Sequence, residues 1–376
     1  MRVIGLHSGT SADAVDVAVA DLSLDGPVVV LSPVEHAEHP FPERLRAVPT
    51  GAGDVCALDT GLGQLFGRIA AGYRGDLVSS LGQTAHHRVE NGTCLGTLQL
   101  GEPAWIAEAT GLPVVSGFRQ RDVAAGGHGA PLASALDVLW LAELSRTAPA
   151  AALNLGGIAN VTLVRRGHPP SACDTGPGNA LLDAAAQRIT GTPCDVDGAL
   201  ALRGAVHPGL LDRLLADPHY ARPAPKSTGK EHFNAGHLDR ATEGLALTPE
   251  DLLATLVELT ARTAARACAD ARLVVVSGGG TRNPALMAAL RRHLPGSDVR
   301  PSDDLGLPAG AKEAHLTALL GFLAWHGLPG NVPAATGARG PRPLGSITPG
   351  RAPLRLPEPA TTPVTGLRIG GSRART

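Results

Sequence analysis

Aromatic residues are scarce in this chain, and lysine is nearly absent. Five Phe, three Trp and two Tyr make up 3% of 376 residues, and the lysines are Lys226, Lys230 and Lys312. With 33 basic against 34 acidic side chains the net charge is −1. That combination offers no basic, aromatic-studded face for nucleic acid and no polybasic patch for an anionic membrane. Long apolar runs are also missing, so no bilayer-spanning segment is expected. The opening Met1–Leu6 run ends at once in Ser8-Gly9-Thr10-Ser11, which lacks the layout of a signal peptide. The five cysteines (Cys56, Cys94, Cys173, Cys194, Cys268) are odd in number and scattered. Such spacing is neither a disulfide framework nor a metal motif and fits reduced thiols in the cytoplasm.

What the chain does hold is glycine, 47 residues of it, with three glycine-rich turns each following a short apolar strand. A length of 376 residues sets an expectation of about two domains. Near the middle, Asp174-Thr175-Gly176-Pro177-Gly178-Asn179 precedes an apolar run from Ala180 to Ala186 that reads as a helix. Glycines before a helix let backbone N–H groups crowd together, and the helix start favours an anion such as phosphate. Asp174 would then stand beside the cradle as a proton acceptor. Alone, the stretch also reads as an ordinary turn with an acidic helix cap.

Two strand–turn–strand units support the functional reading. Val3–Leu6 leads into Ser8-Gly9-Thr10-Ser11 and returns through Val15–Asp21. Ala151–Leu155 turns at Gly156-Gly157 and returns through Asn160–Val164. Such a pattern opening each half suggests two related lobes around a shared cleft, with a boundary in the polar link Ser145–Ala150. We therefore expect an N-terminal lobe over 1–147, a C-terminal lobe over 148–349, and a disordered Pro/Arg/Thr-rich tail over 350–376. Helices are expected over Leu58–Arg74, Ala104–Thr110, from Pro249 towards Ala271 after a Thr248 cap, and over Gly310–His326. Phe118–Pro131, with Arg119, Arg121 and Asp122, reads as a loop facing substrate. Leu273–Val276 reads as a buried strand running into Ser277-Gly278-Gly279-Gly280 and a helix opening at Asn283-Pro284, a nucleotide-contact pattern. No G-x-x-x-x-G-K-[ST] loop is present.

These turns together fit the actin-like, hexokinase and Hsp70 type of ATPase: an α/β, ribonuclease H-like fold in two lobes around a nucleotide cleft. The ordered motifs go further. They include Gly5-Leu6-His7-Ser8-Gly9-Thr10-Ser11, Gly82-Gln83-Thr84, Arg121-Asp122-Val123-Ala124-Ala125-Gly126-Gly127-His128-Gly129-Ala130-Pro131, Asn154-Leu155-Gly156-Gly157, Asp174–Asn179 and Pro225-Lys226-Ser227-Thr228-Gly229. Over residues 2–349 the chain resembles the anhydro-N-acetylmuramic acid kinases.

The resemblance implies ATP-dependent phosphorylation of a sugar at O6, coupled to opening of its 1,6-anhydro ring by water. It implies Asp174 as the base. It places the nucleotide against Gly9, Thr10, Ser11, Ala12, Asp13, Ala14, Val15 and Asp16, against Gly176, Gly178 and Asn179, and against Gly278, Gly279, Gly280 and Asn283. Mg²⁺ would be held through Asp13, and the sugar by Gln83, Thr84, Arg119, Arg121, Asp122 and Glu313. A small-molecule sugar, no nucleic acid, no membrane and a homodimer complete the expected partners. The chain departs from the usual family residues at His7, Ala14, Leu81, Gly117 and His128. Leu81 and Gly117 lie on the sugar side and motivate a second reading, a kinase for another anhydro sugar. A third is a non-enzymatic ATP-binding switch.

Overall fold

A computed structural model describes the chain except for residues 10–13, 47–48, 91–92, 225 and 371–376. The described chain forms two compact units, Met1–Glu143 with Ala311–Thr376, and Leu144–Gly310.

The first unit opens with β1 (Arg2–Ser8), β2 (Ala14–Asp25) and β3 (Val28–Pro40), an antiparallel meander. α1 (Ala52–Ala70) then crosses over to β4 (Leu77–Ser80), which returns parallel to β1. α1 buries Leu62, Leu65, Phe66 and Ile69, the apolar spacing seen in the sequence. A two-stranded ribbon follows, β5 (Gln83–Glu90) with β6 (Thr93–Leu100). The sequence does not signal it, because most of its residues are polar and neither face alternates cleanly. Next come α2 (Pro103–Thr110), β7 (Val114–Ser116) parallel to β4, α3 (Phe118–Ala124) and α4 (Ala133–Leu144). The sequence reads Phe118–Ala124 as loop. It closes into two turns of helix instead, because Phe118 and Asp122, one turn apart, are both buried.

The second unit repeats the plan. β8 (Ala150–Leu155), β9 (Ile158–Val164) and β10 (Ser171–Pro177) form an antiparallel meander, followed by α5 (Ala180–Thr190). Short helices α6 (Pro208–Leu215), α7 (Pro218–Ala221) and α8 (Ala235–Thr242) lead to the long α9 (Pro249–Cys268). Thr248 Oγ1 accepts from Asp251 N at 3.1 Å, with Pro249 in the first turn, the cap that the sequence announces. β11 (Leu273–Ser277) then lies parallel to β8, and after α10 (Pro284–His293) β12 (Asp298–Pro301) lies parallel to β11. The sheet order is β10-β9-β8-β11-β12. In order of appearance that is 3-2-1-4-5, three antiparallel strands and two parallel ones. The first unit carries the same order in β3-β2-β1-β4-β7. The duplicated ribonuclease H-like α/β plan is thus present in both units.

The chain then returns to the first unit with α11 (Lys312–Trp325), α12 (Pro333–Thr336), β13 (Ser346–Thr348) and β14 (Gly366–Ile369). This corrects the expected domain limits, which assign 311–349 to the second lobe and leave 350–376 without structure. α11 is buried nearly all round. It lies so close to β1 that a Cβ on Gly5 would stand 2.2 Å from the Ala314 carbonyl oxygen. Ser79 Oγ donates to the Thr317 carbonyl at 2.5 Å. Small residues on the strands thus admit the helix backbone. β13 pairs with β7 and β14 with β3, covering both edges of the sheet. An open edge strand is a template for pairing, and Leu367, fully buried, anchors the added strand there. No helix among the described residues is long and apolar enough to cross a membrane.

Candidate active site

In each unit the glycine turns gather where the first strand lies beside the fourth, at the carboxyl ends of parallel neighbours. That is where open α/β sheets bind ligands, because the chain departs in opposite directions on either side.

In the second unit the site is built on the β8–β9 hairpin and the end of β10. A bulge between Asp174 and Gly176 interrupts the β9–β10 ladder and re-aims the strand end. Asp174 is pinned from three directions. Its N–H donates to the Lys226 carbonyl at 2.9 Å, its carbonyl accepts from His219 Nε2 at 3.1 Å, and its Oδ2 accepts from Thr228 N at 2.9 Å. Burial pushes its carboxyl up to about 6; the Thr228 N–H opposes the shift and Glu231 adds to it. A carboxyl so placed takes up and releases a proton near neutrality, as a general base must. The sequence gives His219, Lys226 and Thr228 no role at the base. Nothing local marks them for it, since 45 or more residues separate them from Asp174.

The turn expected to cradle phosphate has donors paired within the protein. Gly178 N and Ala180 N donate to the Gly157 carbonyl at 2.9 and 3.0 Å, and Asn179 N donates to the Gly156 carbonyl at 2.8 Å. Asn179 Nδ2 donates to the Leu155 carbonyl at 2.9 Å. These donors are therefore committed to holding the hairpin, because backbone N–H groups packed away from water take protein partners. A Cβ on Gly176 would stand 2.8 Å from Tyr220 Cε1, so tight packing explains that glycine as well. Lys230 instead brings a cation to the turn: its Cε would lie 2.4 Å from a Cβ on Gly157. The Lys230 charge also faces Asp183, whose carboxyl burial pushes up to about 6.

Gly278–Gly280 follows β11 beside the same turn. Gly278 has φ +86°, a conformation that favours glycine, and a Cβ there would meet the Leu155 carbonyl oxygen at 2.8 Å. Gly279 is exposed, Gly280 buried. Asn283 caps α10 by accepting from Leu286 N at 3.2 Å, which occupies the side chain expected on the nucleotide.

In the first unit, Gln83, expected on the sugar, turns its amide to the end of β1. Ser8 Oγ donates to its Oε1 at 2.5 Å, and its Nε2 donates to the Gly9 carbonyl at 3.2 Å. Thr10, Ser11, Ala12 and Asp13 lie outside the described residues. Ala14 begins β2. Val15 is fully buried in the core and offers no side-chain surface to a nucleotide. Asp16 is half-buried, and burial pushes its carboxyl up to about 6 despite the neighbouring His7. Thr84 Oγ1 accepts from Gln99 Nε2 at 3.3 Å.

Asp122 also differs from expectation. Fully buried, it accepts from Gly129 N, Asn331 Nδ2 and Thr336 Oγ1, each at 2.8 Å. It ties α3 to the Gly129 turn and the α12 segment rather than facing substrate. Arg119 and Arg121 point to different sides of α3, since residues two apart on a helix do not share a face. Arg121 is exposed; Arg119 is half-buried and donates to the Gly129 carbonyl at 2.8 Å. His7 Nε2 stands 3.1 Å from Glu313 Oε2, at the start of α11. His7 pulls the Glu313 carboxyl down to about 2, with Lys312 and Arg119 adding to the pull, while 49% of the Glu313 side chain stays open to solvent. The first unit therefore presents an accessible carboxylate framed by His7 and Arg119. Gly117 has φ +70° at the start of α3, so the backbone itself favours glycine there.

The family model described as anhydro-N-acetylmuramic acid kinase matches residues 1–350. Relatives carrying that name include one from Streptomyces coelicolor, 55% identical over 99% of this chain and 100% of its own length. Another, from Rhodococcus erythropolis, is 50% identical over 93% and 94%. The relative from Gloeobacter violaceus is 42% identical over 92% and 98%. Among solved structures, an activator of 2-hydroxyisocaproyl-CoA dehydratase from Clostridium difficile with bound ADPNP covers 86% of this chain and 94% of its own, at 15% identity and TM-score 0.41. With a match across nearly its whole length and relatives at half identity, the chain belongs to the anhydro-N-acetylmuramic acid kinase family.

Proposed function

We propose that the chain is an ATP-dependent kinase of anhydro-N-acetylmuramic acid that opens the 1,6-anhydro ring with water and phosphorylates O6. The observation that carries this reading is Asp174, a half-buried carboxyl that titrates near neutrality and is held by the Thr228 N–H at the bulged end of β10. In the proposed step Asp174 takes a proton from a water molecule as that water's oxygen bonds the anomeric carbon. The bond from that carbon to O6 breaks, and O6 takes the γ-phosphoryl group as ADP leaves. Beside Asp174, Lys230 and the Gly156–Gly157 and Gly278–Gly280 turns would face the nucleotide. Glu313 would accept hydrogen bonds from sugar hydroxyls, and Arg119 is a partner for the lactyl carboxylate.

A Mg²⁺ ion is part of the same reading. Asp16 has the oxygen-donor chemistry that Mg²⁺ takes, and Glu38 and Glu313 add like charge that a cation would offset. Bound at Asp16, the ion would neutralise phosphate charge; Asp13, expected from the sequence to hold it, lies outside the described residues. We further propose a homodimer, which light scattering would test, and a cytoplasmic location, where ATP is available.

One observation favours a second reading. Leu81 and Gly117 line the same cavity of about 300 Å³, together with Gln99 and Gln120. An altered substituent on the sugar would be met there, and a panel of anhydro sugars tests it. The direct test of the main reading is ATP consumption with 1,6-anhydro-N-acetylmuramic acid, read beside the product mass. A product heavier by one phosphoryl group and one water supports the coupled reaction. ATP left untouched beside the sugar overturns it.

A further inference from the structure

Three side chains outside these sites converge in the second unit. Asp217 caps α7 with Oδ1, which accepts from His219 N at 2.9 Å, leaving Oδ2 turned towards two imidazoles. His232 Nε2 lies 2.8 Å from that oxygen and His237 Nδ1 lies 3.9 Å from it. The three donor atoms all fall within 4.8 Å of one another. Asp217 and His237 expose only 9% and 13% of their side chains, whereas His232 exposes 46%, so the cluster is closed on one side and open on the other.

From this geometry we propose that Asp217, His232 and His237 form a binding site for a divalent transition metal of the zinc type. Two imidazole nitrogens and one carboxylate oxygen are a donor set that suits Zn²⁺ or Co²⁺, whereas Mg²⁺ and Ca²⁺ prefer oxygen throughout. Bonds of about 2.0–2.2 Å in a tetrahedron put neighbouring donors about 3.3 Å apart. The observed 2.8 and 3.9 Å from Asp217 Oδ2 to the two imidazoles bracket that spacing, and the third separation is no more than 4.8 Å, so side-chain rotations complete the site. The open side takes water as fourth ligand. The histidines are held in place from behind. Fully buried Phe233 packs against the His232 and His237 rings at centroid distances of 4.5 and 5.2 Å, and Asn234 Oδ1 accepts from His237 N at 3.1 Å.

The position of the site gives it a role. Between Asp217 and His232 runs the segment whose His219, Lys226 and Thr228 touch Asp174. A metal bound at both ends of that segment closes it into a loop and removes freedom from the groups that hold the base. This positioning role rests on the reading of Asp174 given above; metal binding itself does not.

The test uses the full-length chain stripped of metal with a chelator, then titrated with Co²⁺ and followed by visible absorption, with Zn²⁺ as competitor. The expected result is one Co²⁺ per chain with the intense visible bands of a tetrahedral site, displaced by Zn²⁺. His232→Gln and His237→Gln, with Asp217→Asn (which keeps the helix cap), should each weaken binding by about a hundredfold. Absence of those bands, or bands unchanged in all three variants, overturns the site. Limited proteolysis then reads the clamp: Zn²⁺ should slow cleavage between Arg222 and Glu231 by about tenfold or more. Unchanged cleavage by a protein that binds Co²⁺ overturns the positioning role. Neither readout uses kinase activity, so a failure of the kinase reading stays distinguishable.

Discussion

Replacing Asp174 by Asn tests the proposed base apart from its structural role. The amide oxygen can still accept from Thr228 N, and the main-chain bonds to Lys226 and His219 are untouched. What disappears is a charge. The carboxyl rises from 3.8 to about 6 because burial disfavours its ionised form. The sign follows from proton counting. Between those two values the folded state binds more protons than the unfolded state, so this group's contribution to stability falls as pH rises from about 4 to 6. Above that window the ionised carboxylate costs up to about 3 kcal/mol, at about 1.4 kcal/mol for each pH unit that the window spans. Asp174→Asn should therefore be no less stable than the parent at about pH 8, with an equal or higher midpoint in urea. Turnover should nevertheless fall by a factor of about 10²–10⁴, the usual contribution of a positioned base. In the parent, kcat/KM should rise with pH through about 6, with about a tenth of its full value at about pH 5; the variant should lose that limb. Steady-state coupled assays from about pH 5 to 8, beside urea melts, read both quantities. Near-parental turnover, or a variant markedly less stable above the window, would refute the reasoning.

Three further outcomes follow from the first unit. Asp122→Ala removes an acceptor from three buried donors, of which Asn331 Nδ2 keeps the Gly340 carbonyl, and should lower stability by about 3–5 kcal/mol in urea unfolding; a loss below about 1 kcal/mol contradicts its role as a tie. His7→Ala should let the Glu313 carboxyl rise from about 2 towards the ordinary range, followed by carbon NMR of labelled glutamate; an unmoved titration refutes the pairing. Gly5→Ala forces α11 away from β1 and should cost about 1–3 kcal/mol, with a higher KM for sugar because Glu313 begins that helix. Unaltered melting would show that the helix yields without strain.

Much of this molecule is written in local pattern. Strand ends marked by glycine, the Thr248-Pro249 cap and the spacing of apolar residues in α1 are local, and each appears in the fold where the chain announces it. The duplicated meander is legible because each half carries its own strand–turn–strand signature. Asp174 stands out in the sequence as an acid just before Gly-Pro-Gly, although the structure carries β10 on through Pro177. What local pattern does not convey is which partner each polar group finds. Gln83, Asp122, Asn179 and Asn283 read as ligand contacts, and the sequence does not convey the protein partners that each also has, because those are brought near by packing. Folding in three dimensions is what draws Lys226, Thr228 and His219 around Asp174 and sets His7 against Glu313. It also returns residues 311–370 to the first unit, where α11 covers a sheet face and β13 and β14 cover its edges. Those contacts join residues far apart in the chain, and the free energy that selects them is burial and hydrogen bonding across the fold, which no short stretch of sequence encodes.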